Sequence, residues 1–384
     1  MTQDRYTEVT EESWFKRLGS AFKGILFGLL LIGISFVLLF WNEGRAVKTS
    51  KTLKEGSGIV VPVDPEKANP ENNGKLVHVT GMANTSETLE DPVFYVSVNA
   101  IKLKRSVEMY QWEESVKSKT KKKLGGGTKT VKTYTYRKVW SDQIIDSTRF
   151  KKPETHKNPS EMPYETRETV AENVTLGAFK LPASLIARIN SYEVLELKED
   201  TVIPESLKDA ARLHRSGIYI GKDPSNPEVG DVRITFHVVK PTQVSIIAKQ
   251  IGNTFEPYIS KAGGTIEMLR VGTYSADTMF KQAQKANRMM TWFLRFLGFF
   301  MMFFGFTAVF KPLSIVADLV PLVGTIVGAG TGIVAFLLAA VLSTITIAIA
   351  WLFYRPIVGI ILLGISILLI VVVKIKLGKA KAAA

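Results

Sequence analysis

The sequence predicts an α+β membrane protein: four transmembrane helices with a large β-rich extracytoplasmic domain between the first and second. Two apolar blocks and one alternating polar region carry that reading. Phe22–Trp41 is apolar apart from Lys23 near its start, and Thr291–Val373 is apolar apart from Arg295, the stretch Lys311–Asp318 and Arg355. Runs of about 20 apolar residues cross a hydrocarbon core about 30 Å thick. Between the blocks, residues 42–290 are polar and alternate in strand fashion. The average of 46% hydrophobic residues conceals this split.

The formal net charge of +14 fits solvated loops and contacts with anionic lipid. Basic residues beside membrane spans are ordinary, and no nucleic-acid motif accompanies them, so nucleic acid is not an expected partner. The chain has no cysteine, which excludes disulfides, thiolate metal sites and a cysteine nucleophile.

Residues 1–21 form a short tail of mixed charge, with Asp4, Glu8, Glu11 and Glu12 ahead of Trp14, Lys16 and Arg17. From Ser13 the tail has the pattern of an interfacial helix, with Trp14, Phe15 and Leu18 toward lipid. Residues 22–41 are the first span. A signal peptide is excluded by the length of the run and by Phe40-Trp41-Asn42-Glu43, which lacks a small-residue cleavage pattern. Gly24 and Gly28, four apart, permit close helix approach.

Residues 42–290 suit one large domain or two small ones. Strands are expected at Gly58–Val63, Lys75–Thr80, Phe94–Leu103, Ser106–Glu113, Lys129–Trp140, Asp231–Val239, Gln243–Gln250 and Thr265–Val271. Lys117–Gly127, with five lysines and three glycines, reads as a flexible hairpin tip. Helices are expected at Pro182–Ser191, at Glu205–Leu213 and from Ser275. Ser275 is an N-cap candidate, and Asp277 follows where the helix dipole favours an acid. No breaker separates that helix from the second span, residues 291–310, so the domain's helix should run directly into the membrane.

Residues 311–323 read as an interfacial connection, 324–353 as the third span and 354–373 as a turn and the fourth span. Lys311-Pro312 and Arg355-Pro356 each set a charge beside a residue lacking a backbone donor, as at a membrane-surface turn. The tail 374–384 is basic. Lys16, Arg17, Lys23, Lys311, Lys374, Lys376, Lys379 and Lys381 share one side of a four-span arrangement, whereas the short opposite loop has only Arg355. Both termini are therefore expected in the cytoplasm and the domain outside it.

Catalytic patterns are absent. His78, His156, His214 and His237 lack metal-ligand spacing, and there is no HExxH, Gly-x-Ser-x-Gly or phosphate-binding loop. Gly125-Gly126-Gly127-Thr128-Lys129 lacks P-loop spacing and sits in the lysine-rich hairpin. No enzyme activity and no cofactor or metal is expected. A channel or transporter is the alternative, weakened because only Arg295 enters a span, near enough to its end to snorkel out. Gly324, Gly328 and Gly332 lie on one helical face. Such a face serves either contact between protomers or packing within one bundle.

One resemblance covers most of the chain. Trp41-Asn42-Glu43-Gly44-Arg45-Ala46-Val47-Lys48-Thr49 resembles the segment after the first span of the LUMA, or transmembrane protein 43, family. The resemblance continues through Leu76-Val77-His78, Val107-Glu108-Met109-Tyr110-Gln111-Trp112, His156-Lys157-Asn158-Pro159-Ser160 and Pro227-Glu228-Val229-Gly230-Asp231 to Trp351-Leu352-Phe353-Tyr354-Arg355-Pro356. It implies four spans, a large domain between the first and second, and no enzymatic activity. Animal members resemble organisers of the endoplasmic-reticulum and inner nuclear membranes. The Lys/Ala-rich C-terminus and the divergent Gly324–Gly332 segment suggest a prokaryotic relative, which would reside in the plasma (inner) membrane.

The resulting expectation is a non-enzymatic scaffold that self-associates and organises membrane domains and membrane protein complexes. Its expected partners are itself as a homo-oligomer, membrane lipids and other membrane proteins. Trp41, Asn42, Glu43, Arg45, Arg355 and Pro356 should form the domain-to-bundle interface. Glu43 is expected to pair with Arg355, in the same or a neighbouring protomer, with Arg45 as its local competitor.

Overall fold

A computed structural model describes residues 4–197 and 211–356. Helix α1 (Trp14–Ile59) is continuous for 46 residues, about 69 Å at 1.5 Å per residue. Ser13 caps it, its hydroxyl accepting from the Lys16 amide. The helix overruns the expected span because residues 42–57 contain no proline and turn a stripe of Ala46, Val47 and Leu53 inward. The strand expected at Gly58–Val63 therefore shrinks to Val61–Pro62.

Helix α2 (Ala183–Ile186) is a single turn inside the helix expected at Pro182–Ser191. Helix α3 (Ala276–Ala317) starts as expected, with Ser275 accepting from the Thr278 amide and Asp277 in the first turn. It runs unbroken through the second apolar run and past Pro312. Helix α4 spans Pro321–Tyr354. The connection expected at 311–323 is thus mostly helical, and only residues 318–320 turn the chain. Helices α1, α3 and α4 are long and apolar enough to cross a membrane. The expected fourth span beyond Pro356 lies outside the described residues. So does most of the helix expected at Glu205–Leu213, whose described end is part of a strand, Ala211–His214.

The middle of the chain is β-rich. An eight-stranded sheet holds a long hairpin, Lys102–Lys122 with Thr128–Ser141, beside Val232–Val239, Gly217–Ile220 and Ala211–His214. A seven-stranded sheet is centred on Leu76–Asn84 and Thr242–Ile251. Alternating inward residues of both sheets, among them Val77, Val79, Val107, Phe236 and Ile246, meet Phe94, Phe179 and Leu185 in one core. A smaller cluster ties this domain to the helices. There Leu53 of α1 and Met279 and Phe280 of α3 pack on Leu76, Ile247 and Ile266.

Two features depart from the expected tail and hairpin. The lysine-rich stretch is strand as far as Lys122, leaving a tip of only residues 123–127. The N-terminal tail is also a strand, Arg5–Glu12, which adds antiparallel to Thr128–Thr135. Glu8 faces Lys132 and Glu11 faces Lys129, so an acidic edge joins a basic one.

Candidate functional site

Helices α1 and α3 run antiparallel in close contact. A Cβ built on Gly28 would stand 2.6 Å from the Gly305 carbonyl oxygen, and one on Gly298 would overlap Leu39. Only residues without side chains allow that approach. Nearer the domain the seam turns polar. Asn42 donates to the Thr291 carbonyl at 3.0 Å, and Asn287 donates to the Ala46 carbonyl at 3.0 Å. Arg45 donates to Asn287, Asn42 and Thr291 side chains at 3.0, 3.2 and 3.1 Å.

Glu43 is the centre of this knot and is fully buried. Its Oε1 accepts from Arg295 Nε at 2.7 Å, and its Oε2 accepts from Arg295 Nη2 at 2.9 Å and Trp351 Nε1 at 2.8 Å. One carboxylate therefore fastens α1, α3 and α4 together. The Arg295 guanidinium also lies 4.9 Å from the Trp292 ring centroid and 5.7 Å from that of Trp351. Such a fork-to-fork pair beside two indoles satisfies a charge that hydrocarbon would otherwise penalise.

This geometry corrects the expected pairing. Glu43 binds Arg295, not Arg355 and not Arg45, because Arg295 stands level with it on the facing helix. Arg355 follows the end of α4 and rests on Trp351 at 5.6 Å. Arg295 does not snorkel out. The signal was available: a charge inside a span needs a counter-ion, and Glu43 is the nearest carboxylate in depth. Trp41 and Pro356 are exposed. Gly44, not singled out by sequence, lies under the Tyr354 ring, where a Cβ would come within 2.6 Å.

A second knot closes the far end of the bundle, where buried Asp318 accepts from Arg17 at 2.6 Å and Lys122 at 2.5 Å. Trp14 Nε1 donates to the Ile315 carbonyl at 2.7 Å, and Arg17 also donates to the Gly126 carbonyl. Burial alone would raise the Asp318 carboxyl. The hydrogen bonds from Lys122 and Arg17 outweigh it and hold the group below its ordinary value. Thus the hairpin tip, the start of α1 and the α3–α4 turn meet.

The glycines divide between these environments. Gly324 sits against Asp318, and a Cβ on Gly328 would stand 3.1 Å from Ser314 Oγ, so both face the neighbouring α3 within the protomer. Among the described residues, nothing lies within 4 Å of a Cβ built on Gly24 or Gly332.

The second knot has a consequence in a bilayer. Beyond Tyr110 the hairpin reaches about 40 Å at roughly 3.3 Å per residue. From Glu43 to Trp14, α1 covers about 44 Å. The three-stranded sheet of tail and hairpin therefore spans the same depth as the apolar helices. Its segments are those that the charge bias assigns to opposite faces of the membrane.

A profile of the family described as "Transmembrane protein 43" matches residues 109–356. The mouse protein named "Transmembrane protein 43" is 36% identical over 369 residues, covering 92% of this chain and 91% of its own length. The chain belongs to the transmembrane protein 43 family. The human family member is 34% identical over 383 residues, covering 97% of this chain and 94% of its own. A Drosophila homolog is 33% identical over 345 residues, covering 87% and 89%. No solved structure matches. Membership and the apolar helices together make this a multi-pass membrane protein.

Proposed function

We propose that this transmembrane protein 43 family member is a self-associating scaffold that organises a patch of membrane and the proteins within it. The observation carrying the proposal is the two-sided protomer. Along one depth it presents apolar helices, with Phe22, Leu26, Val37, Phe296, Phe300, Val341 and Ile345 exposed. It also presents a polar sheet, whose tail-strand edge and outer Gln111–Lys122 edge have no strand partner among the described residues. Hydrocarbon does not accept open sheet edges; non-helical backbone persists at that depth only when buried in protein or facing a water-filled cavity. Association that turns helices outward and sheets inward meets this condition. Homo-oligomerisation, lipid contact and recruitment of membrane proteins follow from that arrangement. The family resemblance leads us to place the assembly in the plasma (inner) membrane of a prokaryotic cell, or in the endoplasmic-reticulum and inner nuclear membranes of a eukaryotic one.

The same polar sheet favours one second reading, a channel whose water-filled interior it lines. Reconstitution into liposomes separates the two. A large closed assembly with no ion or solute flux supports the scaffold; flux through it, abolished by hairpin substitutions, supports the channel.

A further inference from the structure

A cleft of about 280 Å³ opens beside the Glu43 knot, walled by Arg288, Trp292 and Arg295 of α3, Ser50 of α1, and Trp351 and Arg355 near the end of α4. Among the described residues no carboxylate lines it. Of its three arginines, Arg295 is neutralised by Glu43. Arg288 is exposed and Arg355 half-buried, and no ion pair is found for either among the described residues. Two cations without counter-ions among the described residues thus share one concavity with two indoles.

The position of the cleft selects its ligand class. Trp292 and Trp351 mark the level at which tryptophans favour the boundary between hydrocarbon and headgroups. Arg288 lies two turns along α3 from Arg295, on the domain side of that level, and Arg355 follows the last turn of α4. Guanidinium groups recognise phosphate through paired donors, and basic pockets between membrane helices hold anionic headgroups. Ser50, Gln284 and Thr291 line the same cleft and supply further polar groups.

We infer that Arg288 and Arg355 bind the phosphate of an anionic phospholipid, whose headgroup enters the cleft between α1, α3 and α4 while its chains lie along the apolar helices. The shared chemistry is a phosphate ester. The position of the cleft, continuous with the lipid-facing surface, assigns it to lipid rather than to phosphate free in solution. The inference rests on the protomer alone and not on self-association.

The test uses full-length protein in neutral detergent, with phosphatidylglycerol, phosphatidylcholine or inorganic phosphate added and binding read by native mass spectrometry and melting temperature. Phosphatidylglycerol should remain bound and raise the melting temperature; phosphatidylcholine and inorganic phosphate should do neither. Arg288→Gln, at an exposed position with no core contact, should weaken phosphatidylglycerol about fivefold, as one basic residue near an anionic surface contributes on the order of 1 kcal/mol. Arg288→Gln with Arg355→Gln should abolish the preference. Lys281→Gln, which removes an equal charge outside the cleft, should preserve it. Equal shifts with phosphatidylcholine, an equal shift with inorganic phosphate, a phosphatidylglycerol affinity undiminished by Arg288→Gln, or a preference retained by the double variant would each overturn the assignment.

Discussion

Glu43 and Arg295 form a two-point ion pair, 2.7 and 2.9 Å, between helices that leave the membrane in opposite chain directions. The Glu43 side chain is fully buried and that of Arg295 is 14% exposed. Removing one partner strands the other charge, which costs about 3–5 kcal/mol in buried pairs. Glu43→Gln and Arg295→Gln should each lower the melting temperature in detergent strongly. The double variant should lose much less than the sum, because the two residues act as one unit. Glu43→Gln combined with Arg355→Gln should instead be additive.

The close approach of α1 and α3 makes a separate prediction. Gly28→Leu and Gly305→Leu should prevent the helices from meeting, with the loss of stability typical of overpacking, about 1–3 kcal/mol or more. Gly332→Leu starts from a position whose Cβ has nothing within 4 Å among the described residues. It should leave the thermal stability of the isolated protomer unchanged, and should reduce particle mass if its open face joins protomers. Mass photometry with a parallel melting curve separates the two effects.

Acid should loosen the seam between tail and hairpin. Glu8 accepts hydrogen bonds from Lys151 and Tyr134, and Glu11 pairs with Lys123. At the end of the seam Asp318 is held below its ordinary value by the hydrogen bonds from Lys122 and Arg17. For a carboxylate whose folded value lies below its unfolded one, the stabilisation is complete above the unfolded value. It is lost as pH falls through the folded value. Trypsin-type cleavage cannot be read at such pH. Hydrogen exchange can, and amides of Thr7–Glu11 and Thr130–Thr133 should lose protection as pH falls below about 4.5. Asp318→Asn should expose the Lys121–Lys123 tip to trypsin already at neutral pH. Unchanged protection in both experiments would mean that these carboxylates do not hold the seam.

The helices were legible in sequence because apolar length and the Ser275 cap are local signals. Their ends were not. Nothing local stops α1 at Trp41, and its continuation to Ile59 is decided by the domain core that buries Leu53. Strand alternation found most of the sheets but missed Arg5–Glu12, because a short, charged strand has no core face of its own. Its partner lies far along the chain, Glu8 facing Lys132, and the sequence trace of their contact is opposite charge: glutamates in the tail and lysines in the hairpin. The Glu43 knot was half legible. Both the carboxylate and the in-span arginine stand out, yet the sequence pairs Glu43 with Arg355 and lets Arg295 snorkel, because only the packing of α3 beside α1 sets Arg295 level with Glu43.

The most direct test of the two-sided protomer is a disulfide across the tail–hairpin seam in native membranes. Glu8 and Lys132 are directly opposed in antiparallel strands, a spacing compatible with a disulfide, and the chain offers no competing cysteine. Glu8→Cys with Lys132→Cys should cross-link within one chain on mild oxidation, before any detergent is added. Failure to cross-link, with the two cysteines labelled from opposite sides of the membrane, would contradict it: the tail and hairpin would then occupy different compartments, and no polar sheet would stand at membrane depth.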